Sequence, residues 1–308
     1  MASFLTALTA VERLSAHGSQ LPPEFARALG EDLEYGRFGA ALIDLPRFGG
    51  VVFGLEDWVG KGAAPRFTQL YRNRAPVAFG LKTAELVANG ALVGTEAGLA
   101  FLAGYFTQLC VARAVEPIVV QLVGKLAKSG DDEAARERIE WTQSLYLMQE
   151  LHGSTLVGTS AIRTKLHIRK GGGPRGVGRG FYELIRVASN ESLGEAPSKA
   201  QVDAWVRGLY LYAVALGSPA GRLRGLKSNS PFAQKELYRG PGVDVWSAVE
   251  RGLAHTHRVL AVLGGLIRRG SFTARSRGKV LELLPEGSPS TALPELPQQP
   301  HGTVIATV

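Results

Sequence analysis

Between Phe101 and Glu140 the chain carries polar residues at helical spacing inside an otherwise apolar run, and this spacing narrows what the chain can fold into. In Gly104-Tyr-Phe-Thr-Gln-Leu-Cys-Val-Ala-Arg-Ala-Val-Glu-Pro117, residues Gln108, Ala112 and Glu116 lie four apart and share one helix face. Arg136 and Glu140 repeat the spacing. Polar side chains pointing inward from apolar helices are how a bundle builds a metal or substrate site. Here one position is alanine, and none of the five is His or Asp. The stripe has the layout of a site without its chemistry.

The rest of the chain is patterned for helices around that stripe. Phe4, Leu5, Leu8, Val11 and Leu14 predict a helix ending near His17-Gly18, and Leu21-Pro-Pro-Glu opens a second. Phe38 to Gly50 reads as a compact, turn-rich passage in which Asp44, held near Pro46, is either a buried carboxylate or a surface turn acid. From Ala75-Pro76 long apolar helices run to about Ala127, broken near Gly94 and Gly98. Further helices are predicted over 133–157, 198–216 and 243–269. Strict alternation of β-branched residues and internal repeats are absent, so the expected fold is an all-α multi-helix bundle, one domain over 1–284. Pro285, Pro289, Pro294, Pro297 and Pro300 predict a disordered tail over 285–308 that folding does not need.

Composition excludes some chemistries. The single cysteine, Cys110, rules out an internal disulfide and a Cys-based zinc site, and its apolar neighbours predict an inert buried thiol. No secretory signal precedes the first helix, and Glu96 with several glycines interrupts the most membrane-like window, Leu86 to Phe106. A soluble, cytoplasmic protein is expected. There is no Gly-x-Ser-x-Gly elbow and no His-Glu-x-x-His, and His255 and His257, two apart on a helix, are expected at the surface rather than as ligands. The formal charge of +8 favours anionic partners, whether a phospholipid surface, phosphate or nucleic acid. Arg163, Lys165, Arg169, Lys170, Arg175 and Arg179 form an acid-free, glycine-rich basic loop, the candidate anion-binding element. It lacks the Gly-Lys-Ser/Thr ending of a P-loop.

Taken together, four segments resemble the zinc-dependent phospholipase C family of bacteria. They are the first helix ending in His17; Phe38-Gly-Ala-Ala-Leu-Ile-Asp-Leu-Pro46; Phe101 to Pro117; and Arg136-Glu-Arg-Ile-Glu140. Leu70-Tyr71-Arg-Asn-Arg-Ala-Pro76 is a weaker match. The resemblance covers about residues 1 to 160 and implies an all-α fold with a three-metal site. On that resemblance His17, Asp44 and Glu140 occupy ligand positions unchanged. Tyr71, Gln108, Glu116 and Arg136 stand where histidines would be, and Ala112 stands where a bridging aspartate would be. Alanine donates nothing and arginine is a fixed cation, so the implied zinc site is degenerate. The expectation is a pseudoenzyme acting as a binding or scaffold protein, with no cofactor. Zinc would enter only through a poor mononuclear site of His17, Glu116 and either Asp44 or Glu140. The alternatives are a working metal-dependent phosphoester hydrolase, and an anionic-lipid or nucleic-acid binder using the basic loop. Where the metal would sit, Arg136 is expected to bridge Glu116 and Glu140.

Overall fold

A computed structural model describes residues 4–50, 64–90, 92–127, 131–166, 177–219, 221 and 235–295. Its helices are α1 (Phe4–Ala16), α2 (Pro23–Ala41), α3 (Ala64–Gln69), α4 (Pro76–Ala88), α5 (Thr95–Leu126), α6 (Asp132–His152), α7 (Ser160–Leu166), α8 (Arg179–Leu193) and α9 (Lys199–Leu216). A two-stranded antiparallel hairpin, Arg239–Gly240 with Val243–Asp244, leads into α10 (Val245–Arg269) and then α11 (Ala274–Leu283). The fold is all-α, as the periodicity predicts. Local signals set several boundaries. Proline occupies the first turn of α2 and of α4, and Ser198 with Gln201 closes a reciprocal capping box on α9.

Helix α5 is the axis. From Gly98 to Val111 every residue is buried, so this half of the helix has no solvent face and must be covered on all sides. Helix α2 crosses it at backbone contact. A Cβ on Gly39 would lie 1.9 Å from the Phe101 carbonyl oxygen, and one on Gly104 would lie 1.7 Å from that of Gly36. Helix α10 approaches α5 in the same way, with Gly252 set against the backbone of Val111. Phe38, Phe101 and Phe181 then pack edge-on around the α2–α5 crossing. One contiguous apolar core runs from Phe4 to Leu284.

Two expectations about the helices need correcting. Residues 38–41, expected in a turn-rich passage, complete α2, because their glycines are packing surfaces rather than turn residues. Gly98 does not break α5; it lies under the Val87 side chain, and the chain reverses only over 89–94. That reversal splits the window from Leu86 to Phe106. Among the described residues no helix is long and apolar enough to cross a membrane.

The boundary of the C-terminal tail also moves. Residues 285–289 lie on the body of the protein. Arg113 donates through Nη1 to the Pro285 carbonyl and through Nη2 to that of Gly287 at 2.8 Å. Between them, the Glu286 carboxylate accepts from the backbone N–H groups of Val77, at 3.1 Å, and Ala78. These are first-turn donors of α4, whose own N-cap residue, Ala75, has no side-chain acceptor. A carboxylate from the far end of the chain therefore caps α4. Residues 296–308 of the expected tail lie outside the described residues.

Two outcomes follow. Gly39→Ala gains about 1 kcal/mol of helix propensity but drives a methyl into the Phe101 carbonyl; overpacking should win, at about 3 kcal/mol net loss by chemical denaturation. Ending the chain at Leu284, silent if the tail began there, should lower stability by at least the roughly 0.5–2 kcal/mol of a lost cap, and Glu286→Ala in the full chain should reproduce most of that loss in Tm.

Candidate functional site

The inward stripe of α5 faces the segment that follows α2 and a short π-helical turn, Leu70–Arg74, ahead of α4. Asp44 sits in the tight turns between α2 and the 3-10 segment Leu45–Gly50 and is 5% exposed, which resolves it as a buried carboxylate. Gln108 bridges it to α5: the Gln108 amide donates to Asp44 Oδ2 at 3.3 Å, and its oxygen accepts from Ile43 N at 3.2 Å. Asp44 Oδ1 is buried with no hydrogen-bond partner.

The π-helical turn divides two neighbouring residues. Tyr71 enters the core, where its hydroxyl pairs with Ser189 Oγ at 2.9 Å and burial pushes its pKa well up. Arg72 instead lines a cleft together with Asp44, Gln108, Leu109 and Ala112. Such single π turns recur where a backbone must aim a side chain at a functional position. Burial lowers the Arg72 pKa; the charges of Asp44 and Glu116 pull it back up, and Arg136 and Arg47 push it down. Among the described residues Arg72 makes no hydrogen bond or ion pair. The cleft encloses about 330 Å³, counting its open mouth. Its outer wall is Gly287 and Pro289, part of the segment that Arg113 holds down.

One turn along α5 from Ala112, Arg136 reaches across from α6. Its Nη1 donates to Glu116 Oε2 and to Glu140 Oε1, both at 3.1 Å, and its Nη2 donates to Glu116 Oε1. Glu116 is 6% exposed and Glu140 4%, while a quarter of the Arg136 side chain reaches solvent. Two near-buried carboxylates are thus held by one forked cation, the arrangement expected from the sequence. Burial alone would raise the Glu116 pKa, but the Arg136 hydrogen bonds and the surrounding positive charge, Arg72 included, hold it below its ordinary value.

The other named residues separate. His17 follows α1 and is not among the residues lining this cleft; it lies near His257, whose pKa is lowered mainly by burial. The mononuclear set of His17 with Glu116 and an aspartate or glutamate is therefore not assembled, and among the described residues no three His, Cys, Asp or Glu side chains converge to hold a metal. His255 is 5% exposed and His257 half-buried, correcting their expected place at the surface; α10 packs on α5 and on the turn after α1, so both faces of the helix are covered. Cys110 is buried, its thiol pushed up to about 12 by burial.

The basic loop is also redrawn. Arg163 and Lys165 belong to α7 and Arg179 begins α8; Arg169, Lys170 and Arg175 lie outside the described residues. Arg163 and Arg179 are exposed. Lys165 is not: it pairs with Glu12 of α1, which also binds Arg37 at 2.7 Å and His152 at 3.0 Å. Its ammonium is engaged by an acid too distant in sequence for a local charge run to reveal.

Sequence reasoning missed Arg72, Arg113 and Glu286. Arg72 lay inside the quoted Leu70-to-Pro76 match, where attention fell on Tyr71. No local pattern marks Glu286, whose partners come from another helix. The chain matches no protein-family model, no curated protein and no solved structure.

Arg136→Met strands both carboxylates. With a quarter of the arginine in solvent, the expected loss is near the lower end of the roughly 3–5 kcal/mol for breaking a buried pair. Because the folded chain holds Glu116 below its ordinary pKa, its ionised form stabilises the fold at neutral pH; that contribution is lost as pH falls through the depressed folded value. In Arg136→Met, where burial acts on Glu116 without that partner, the loss should be greatest at neutral pH and ease as pH falls and the stranded carboxylate takes up a proton; Glu116→Gln should flatten the parent's dependence in that window.

Proposed function

We propose that this chain works by binding rather than by catalysis, as a divergent counterpart of the zinc-dependent phospholipase C family in which an internal ion triad stands where the resemblance puts metal. The observation that carries the reading is the Arg136 guanidinium shared between Glu116 and Glu140. A permanent cation in that position repels a dication and occupies the carboxylate oxygens that would ligate it. Ala112 supports the same reading, because a bridging carboxylate cannot be replaced by a methyl group. What remains is a cleft lined by fixed charges, a place to hold a molecule. The competing hydrolase needs donors at Arg136 and Ala112 that these side chains do not have. For the competing basic-loop binder, Lys165 is engaged by Glu12 rather than free in a loop.

Elemental analysis of protein purified without chelators tests the reading. Substoichiometric zinc is expected, with no hydrolysis of a chromogenic phosphodiester and no rise in Tm on adding zinc. Stoichiometric zinc that survives dialysis, accompanied by zinc-dependent hydrolysis, would overturn it.

A further inference from the structure

The cleft beside the triad carries two opposite charges with unused bonding capacity. Asp44 lines the cleft, and its Oδ1 is buried with no donor. Arg72 brings a planar fork of donors to the same space, and among the described residues nothing accepts from it. No ion pair joins the two; Gln108 holds the other Asp44 oxygen and fixes the carboxylate in place. A buried acceptor without a donor is expensive, and so is a guanidinium drawn out of water without an acceptor. One molecule that offers a cation to Asp44 and a carboxylate to Arg72 would satisfy both.

The surroundings favour a neutral molecule over an anion. Around the cleft the carboxylates of Asp44, Glu116 and Glu140 are set against Arg47, Arg72 and Arg136, and Glu286 lies beside Arg113. These charges balance, so there is no net positive field to hold a free phosphate. The space is small and opens to solvent, so only a small molecule fits it. Leu109, Ala112 and Pro289 supply an apolar patch beside the charged groups.

Building on the binding reading above, the geometry points to a small zwitterionic α-amino acid as the ligand of this cleft, its ammonium on Asp44 and its carboxylate on Arg72, with a short side chain against Ala112. The ligand joins two charges that the fold presents apart. Ala112 sets the size limit, because a longer side chain there would fill the space the ligand needs.

Isothermal titration of the full chain with L-alanine, acetate, ethylamine and inorganic phosphate tests this. L-Alanine should bind saturably, and acetate and ethylamine, each offering half of the recognition, at least about tenfold more weakly. Arg72→Gln and Asp44→Asn should each weaken L-alanine by about tenfold or more. Ala112→Leu leaves every charge in place and should also abolish binding, so the idea stays testable if a charge variant fails to fold. Absence of saturable L-alanine binding, binding unchanged in Ala112→Leu, or phosphate bound more tightly than L-alanine would each overturn the assignment. Metal content is read on the same sample. Zinc-free protein that ignores L-alanine sinks the ligand alone, whereas stoichiometric zinc sinks the non-catalytic reading itself.

Discussion

The structure depends on two helices being able to touch backbone to backbone. At the α2–α5 crossing there is no room for a single methyl group at Gly39 or Gly104, so the helix axes approach as closely as their carbonyls allow. That closeness surrounds α5 and leaves Gln108 near enough to the end of α2 to bond both Ile43 and Asp44. The stripe on α5 becomes a site only because the chain leaving α2 is forced against it. Dispersion between closely packed atoms, summed over such a contact, offsets the helix-propensity cost of the glycines that permit it.

Around this crossing the protein buries charge in pairs and forks. Arg136 serves two carboxylates, Glu12 serves Arg37, His152 and Lys165, and Arg113 serves two carbonyls. Each arrangement joins elements distant in sequence: α5 with α6, α1 with α2, α6 and α7, and α5 with the segment after α11. Buried charges of this kind contribute little net stability over an apolar core, but they make misregistered packing costly. Asp44 and Arg72 depart from the pattern, each with bonding capacity that the fold leaves unused.

What the sequence disclosed follows the range of the interactions involved. Helix periodicity and caps are local, and they predicted the fold class; the sharing of Arg136 by two acids was expected only from the resemblance, which put Glu116, Arg136 and Glu140 at one site. Interactions across the fold were hidden. Lys165 looked like part of an uncompensated basic run because Glu12 lies in the first helix. Glu286 looked like part of a proline-rich tail because the donors it accepts from begin α4. Gly39 was read as part of a turn-rich passage, since a glycine that permits close packing and a glycine that permits a turn are the same letter. Tyr71 drew attention that belonged to Arg72, because only the π-helical register decides which of two neighbours faces the core.

The hold of Glu286 on α4 has a consequence for how the protein comes into being. A chain made from its N-terminus can form α1, α2, α4 and α5 long before residue 286 exists, so the donors at the start of α4 must stay in water until that residue is made. The same late segment supplies Gly287 and Pro289, the outer wall of the cleft. A nascent chain therefore covers α5 with α10 before Gly287 and Pro289 can wall the cleft.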